Sequence, residues 1–412
     1  MGILSMALRS LKGNLLSTLI TAFSIALSCG LMMAVYAVKE QSKKAFVMND
    51  VGFDAVVGAK GSPMQLVLNS LYHLEESPGN IPWSLYEELK SNRRAVKRVV
   101  PLAVGDNYYG YRLVGTIKDL FEGDGFKLSL EEGRVFDESR EEAIIGSVVA
   151  ERTGLKVGDD FSPFHGLNFI PGTEHSNKFK IVGVLKNTNT PNDRVIWIPI
   201  DSHFRMEGHV LRGTGKDFDA SGVKEIPDEH KEVSSLLVQT RSPMNGRRLS
   251  GTINRGSSAT MAWPVAGVML KLFDKLGWVH KVLELVSWLI IVVAATTVLV
   301  SVYNTLNDRK REFAILRSLG APKSELFKII LMQSLLLSLL GVMGSFVFYF
   351  IILSAAGRII RDKIGIMLDS FAYSPILWIG PLVMIGIALL TSLIPAVKAY
   401  RIDVVKNLNP ES

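Results

Sequence analysis

The chain has a single cysteine among its 412 residues, Cys29, and it lies inside an apolar run. An internal disulfide is excluded, and so is a zinc site built on cysteine. Charge is missing from four long stretches, 15–38, 285–307, 329–357 and 374–397, none of which holds Asp, Glu, Lys, Arg or His. A nucleotide-hydrolysing motif is missing too. GAKGS at 58–62 has the glycines and lysine of a phosphate loop in the wrong order, since that loop needs Gly-x-x-x-x-Gly-Lys-Ser/Thr leading into a helix. It reads as a turn with close backbone packing. LSG at 249–251 lacks the rest of an ATPase signature. No Ser/His/Asp order stands out as a nucleophilic triad. No catalytic residue and no cofactor are therefore assigned, and the chain is not read as an enzyme.

Histidine is scarce but uneven. His165, His175, His203, His209 and His230 fall within 165–230, and His73 lies near Glu75 and Glu76. Zinc ligands must converge at about 2 Å, and these spacings match no compact pattern. Solvated loop histidines are the simpler reading. No metal site is assigned, and metal-linked transport stays as an alternative.

Hydrophobic residues make up 48% of the chain and charged residues 21%. That mixture fits apolar spans joined to a polar domain. A spanning helix needs about 20 apolar residues to cross a hydrocarbon core of about 30 Å, and each charge-free run is long enough. A mid-span charge costs several kcal/mol, so four clean runs predict four transmembrane helices. Arg9 and Lys12 precede the first run, and Val35-Tyr36-Ala37 resembles a cleavage site. A signal peptide, however, has an apolar core of only about 7–15 residues. The first run is read as a span.

Lys and Arg near the span ends set the orientation. Arg9 and Lys12 precede the first span. Arg309, Lys310, Arg311, Arg317, Lys323 and Lys328 separate the second from the third, and Lys398, Arg401 and Lys406 follow the fourth. These place both termini in the cytoplasm. Arg358, Arg361 and Lys363 in the short loop 358–373 argue the other way. The net charge of +7 is then chiefly a topology signal, and no nucleic-acid partner is expected.

The expected layout is a cytoplasmic segment 1–14, span one at 15–38, an outer domain with stalk at 39–284, and span two at 285–307. A cytoplasmic loop 308–328, span three at 329–357, an outer loop 358–373, span four at 374–397 and a cytoplasmic tail 398–412 follow. The fold class is an α-helical membrane protein with one N-terminal and three C-terminal transmembrane helices and a large α+β domain between the first two. In that domain FDAVV (53–57), YYGYRLVGTI (108–117), EAIIGSVVA (142–150), KFKIVGVLK (178–186), RVIWIPI (194–200) and SSLLVQT (234–240) read as strands. PWSLYEELKS (82–91) reads as a helix. Segments 202–230 and 241–260 read as loops, and 267–285 as a helix entering span two. Span one carries Ala22, Ala26, Gly30 and Ala34 at four-residue spacing, a face that allows close helix approach. Gly341 and Ser345 in span three are a weaker instance. Few polar groups sit in the spans: Asn304, Asn307 and Gln333 with scattered hydroxyls. That argues against an ion channel.

DRKREFAILRSLGAPKSE (308–325), between spans two and three, combines charge with Phe313, Ile315, Leu316 and Leu319 at helical spacing. Asp308 and Glu312 stand near Arg311 and Arg317, close enough along a helix for pairing. Gly320 suits a helix C-cap, and Pro322 prevents simple continuation. The apolar residues have no evident core in so short a loop, so Phe313, Leu316 and Ile315 are expected to enter a cleft on a second protein.

Arg311, Glu312, Phe313, Ile315, Leu316, Arg317, Leu319, Gly320 and Ala321 resemble the loop after the second span in MacB-type and FtsX-like permeases of ABC transporters. The tail IPAVKAYRIDVVKNL (394–408) is similar to that family's closing motif, with Val404 in place of the usual proline. EEGRVFDE, IIGSVVAERTGLKVGDDF, FKIVGVLKN and VIWIPID resemble its MacB-like periplasmic core, whereas 51–82 fits the general pattern poorly. The resemblance implies a permease subunit of a type VII system in the bacterial inner membrane. It implies a cytoplasmic ABC ATPase partner, pairing as a homodimer or pseudo-dimer, contact with membrane lipid, and transmission of ATPase motion to the outer domain for export or extraction of a substrate. The alternative is mechanical regulation of a periplasmic protein partner without transport.

Overall fold

The computed structural model describes residues 3–47, 52–122, 128–206, 210–220 and 222–400. The tail motif beyond residue 400, with Val404, lies outside them, as does His209. The described chain divides into two compact units. One comprises 1–41, 276–358 and 368–412, the other 42–275 together with 359–367.

The first unit is helical. Four helices are long and apolar enough to cross a membrane: Leu15–Phe46, Val265–Asp308, Lys323–Ile364 and Ile376–Lys398. Within this unit they share a core that includes Ile25, Cys29, Met33, Val298, Leu337, Tyr349 and Ala388. Hydroxyls tie the spans together. Ser17 Oγ lies 2.9 Å from Ser301 Oγ, and Ser334 Oγ donates to the Ala388 carbonyl at 2.9 Å. Such bonds contribute on average about 0.6 kcal/mol each in a bilayer, so packing carries most of the association. Leu19, Phe23, Leu289, Val293, Leu382 and Leu390 are exposed, as expected of side chains facing hydrocarbon. A helix the sequence did not announce, Ile3–Gly13, precedes the first span. It buries Ala7, Ser10 and Leu11, and Ser10 Oγ donates to Gln333 Oε1 at 3.1 Å.

The second unit is α+β, with an eleven-stranded mixed sheet among the described residues. Its central path runs Ala259–Ala262, Ala55–Ala59, Ser235–Thr240, Val96–Tyr108, Tyr111–Thr116, Val195–Pro199, Glu142–Ile145, Phe179–Leu185 and Leu130–Gly133. Asp160–Phe161 adds to Phe179–Leu185, and Phe164–His165 adds to Val96–Tyr108. The central strands are buried on both faces. Val56, Leu102, Val114 and Trp197 belong to one core, and Leu113, Ile145, Phe179 and Ile196 to another. Each fully buried large side chain contributes roughly 1.5–3 kcal/mol.

Three expectations are corrected here. EAIIGSVVA is not one strand: it is the strand Glu142–Ile145 followed by the helix Ser147–Thr153. The break is at Gly146, where a side chain would collide with the Asp193 backbone. Segment 241–260 is not loop, because Pro243–Arg255 is a helix with Ser242 accepting from the Asn245 amide at 3.3 Å and proline in the first turn. Val96–Tyr108, the longest strand, was not expected at all. Its Pro101 cannot donate to a ladder, and proline ordinarily marks edges or non-strands.

The GAKGS turn is occupied by packing. Gly58 faces Leu66 closely. Lys60 Nζ donates to the carbonyls of Asn254 and Gly256 at 2.9 and 2.7 Å. A cation on the last carbonyls of the helix Pro243–Arg255 complements its dipole.

Candidate coupling site

The loop between the second and third spans folds into the helix Lys310–Ser318. Its C-terminus has the hydrogen bonds of a Schellman cap. The Gly320 amide bonds the Arg317 carbonyl at 3.1 Å and the Ala321 amide the Leu316 carbonyl at 3.0 Å. Gly320 has φ +94°, in the left-handed region open chiefly to glycine. Pro322 then separates this helix from Lys323–Ile364.

The helix has two faces. Phe313 is 4% exposed and Ala314 fully buried, and both turn into the bundle formed by their own chain. Phe313 shares a cluster with Leu11, Leu306, Leu326 and Ile330, and Leu316 packs partly against it. This corrects the expectation that Phe313 and Leu316 enter a partner's cleft: neighbouring helices bring a core to the loop. The outward face is Ile315 at 43% and Leu319 at 79% exposure, with Arg311 and Glu312 exposed beside them. Arg317 is half-buried, and Gly320 is exposed. The ion pair is also displaced from expectation. Arg309, not Arg311, donates to Glu312 through Nε at 2.7 Å, and its guanidinium lies 5.7 Å from the centre of the Phe313 ring.

The small-residue face of the first span meets the third. A Cβ on Gly30 would lie 2.7 Å from Phe348 Cβ and from the Ser345 carbonyl oxygen. A Cβ on Gly341 would lie 2.6 Å from Ile25 Cβ and 3.1 Å from the Ala22 carbonyl oxygen, and one on Gly344 3.0 Å from Ala26 Cβ. Ala26 and Ala34 are buried and Ala22 half-buried. In the same unit an apolar cavity of about 280 Å³ is lined by Met32, Tyr36, Trp288, Ile291 and Ile379, together with Lys39 and Glu284.

In the other unit, residues 359–367 pack on the domain's own helix Ser147–Thr153. Arg361 pairs with Glu151, and Arg152 with Asp362. The Asn189 carboxamide bonds the Met367 carbonyl at 3.1 Å. A polar cleft of about 200 Å³ lies nearby, lined by His73, Arg112, Arg194 and Lys363 among others. His73 is half-buried at φ +53°, with Nε2 3.2 Å from Asn192 Oδ1. Burial, then the charge of Arg112, pushes its imidazole down to about 3, so the ring is neutral.

The histidines are not all solvated loop residues. His175 and His203 are buried, and His165 and His175 converge on Asp106.

Residues 15–250 match the family model of the MacB-like periplasmic core domain, and residues 284–404 that of the FtsX-like permease C-terminal region. Among solved structures, the periplasmic region of MacB from Actinobacillus actinomycetemcomitans is similar at 11% identity and a TM-score of 0.35, over 56% of this chain and 97% of that one. A domain of a protein named as a permease from Porphyromonas gingivalis is similar at 11% identity and a TM-score of 0.26, over 50% of this chain and 84% of that one. No protein with a curated description matches.

Proposed function

This chain belongs to the MacB/FtsX-type permease family, and we propose that it is the membrane subunit through which a separate cytoplasmic ATPase moves the outer domain. It is a multi-pass membrane protein of the ABC-permease kind, and its sequence carries no phosphate-binding loop of its own. A motor on another polypeptide supplies the energy. The observation that carries this reading is the helix Lys310–Ser318, which sits between two spanning helices and leaves Ile315 and Leu319 exposed beside Arg311 and Glu312.

Sidedness supports the same reading. The concentration of Lys and Arg around Lys310–Ser318 supports a cytoplasmic position for that helix. Arg361 and Asp362, at the end of the helix Lys323–Ile364, pair with Glu151 and Arg152. The cations of loop 358–373, which run against this rule, are partly used in those pairs. Two copies of the chain, or this chain with a related one, pair in the bacterial inner membrane. The work done outside is expulsion or extraction of a substrate, or movement of an outer protein partner.

Purification of the full chain from its native membranes in mild detergent tests the proposal. It predicts recovery of a polypeptide bearing the nucleotide-binding motifs this chain lacks, with ATP hydrolysis in the eluate. A chain recovered without any such polypeptide, and without hydrolysis, contradicts it.

A further inference from the structure

Asp106 is fully buried near the end of the long strand Val96–Tyr108. Antiparallel pairing with Phe164–His165 places His165 directly across from it. The chain then turns back, and His175 returns to the same point with its amide on the Pro163 carbonyl at 2.8 Å. His175 Nε2 lies 3.3 Å and His165 Nδ1 3.6 Å from the same oxygen, Asp106 Oδ1, and one ligand-capable atom from each residue lies within 4.8 Å of the other two. We propose that Asp106, His165 and His175 form a binding site for a divalent transition metal of the zinc class.

The spacing is that of a coordination sphere. Zinc holds imidazole nitrogen and carboxylate oxygen at about 2.0–2.2 Å, so two ligand atoms on one tetrahedron stand roughly 3.3–3.5 Å apart. The two contacts to Asp106 Oδ1 bracket that edge. The rings agree: two imidazoles on one tetrahedral ion put their centres roughly 5 Å apart. The His165 and His175 centres are 5.4 Å apart with their planes 70° inclined, which rules out a stacked pair.

The donor set, two imidazoles and one carboxylate, suits zinc-class ions better than calcium or magnesium, which take oxygen. The surroundings hold the carboxylate in place. The Gly166 amide donates to Asp106 Oδ1 at 3.3 Å, and Asn107 Nδ2 donates to the Gly166 carbonyl at 2.7 Å. His203 Nδ1 stands 3.9 Å from the other oxygen, Oδ2. It reaches the site because Gly115 has no side chain: a Cβ there would meet His203 Cβ at 2.8 Å. His165 is 58% exposed while His175 and Asp106 are buried. The cluster is therefore half open to solvent, as a site that exchanges its ion requires.

The test uses the full chain in detergent, with a histidine-free affinity tag. It is exposed to zinc chloride, desalted and assayed for metal by mass spectrometry, and in parallel titrated with cobalt chloride and read by visible absorption. The expected result is one ion per chain and a tetrahedral cobalt spectrum. His165→Ala, at an exposed position, and His175→Gln each weaken binding by at least about tenfold. His230→Ala, outside the cluster, binds as the parent does. A parent chain that retains no zinc overturns the proposal. So does unchanged affinity in His165→Ala, or a loss in His230→Ala equal to that in His165→Ala.

Discussion

Gly30 of the first span and Ser345 of the third stand so close that a Cβ on Gly30 would lie 2.7 Å from the Ser345 carbonyl oxygen. Backbone sits against backbone there, and no rotamer change relieves an added side chain. Gly30→Leu is expected to destabilise the helical unit by roughly 1–3 kcal/mol or more, as overpacking does. Thermal unfolding of the full chain in detergent measures this. A midpoint equal to the parent's would show that the two spans do not meet at Gly30.

Gly320 closes the helix Lys310–Ser318 at φ +94°. Nothing lies within 4 Å of a Cβ placed there, so Gly320→Ala meets no clash and pays only the left-handed conformation, about 1–2 kcal/mol. The helix is expected to open more often. Hydrogen exchange of amides 313–318 should quicken by roughly tenfold for each 1.4 kcal/mol, with the spans unchanged. Unaltered exchange would place the end of the helix elsewhere.

His73 gives the outer domain a pH dependence of definite sign. Its imidazole is held neutral, at about 3 in the fold against 6.5 as the ordinary value. The unfolded chain therefore binds a proton between those values that the folded chain does not. Stability is complete above pH 6.5 and falls as pH drops toward 3, by about 2 kcal/mol at pH 5. Asn tolerates the left-handed backbone at φ +53° and does not titrate. Unfolding of the full chain at pH 7.5 and pH 5 is expected to show a smaller acid loss in His73→Asn than in the parent. Equal losses would remove His73 as the cause.

The spans were readable because a bilayer forbids mid-span charge, and four stretches obey that rule over their whole length. The Gly320 cap was readable because local chemistry dictates it. What stayed hidden is non-local. Phe313 looked like a docking residue because a loop of that length has no core of its own; the core comes from Leu11, far along the chain, and from Leu306 and Ile330 of the two flanking helices. Asp106, His165 and His175 share no sequence spacing, and only strand pairing brings them together. The helix Pro243–Arg255 did carry a signal, Ser242 followed by Pro243, masked by glycines at 246 and 251.

The most direct test of the coupling role separates the two faces of the helix Lys310–Ser318. ATP hydrolysis by the chain purified together with its ATPase is measured for the parent, for Ile315→Asp with Leu319→Asp, and for Phe313→Asp. The outward double variant is expected to keep the parent's thermal stability while losing the ATPase, with hydrolysis in the eluate falling at least about tenfold, as loss of interface anchors worth 1.4 kcal/mol or more requires. Phe313→Asp is expected to lower stability first, because it buries a charge in the bundle. Full retention of the ATPase and its activity by the outward double variant would contradict the coupling role of this helix.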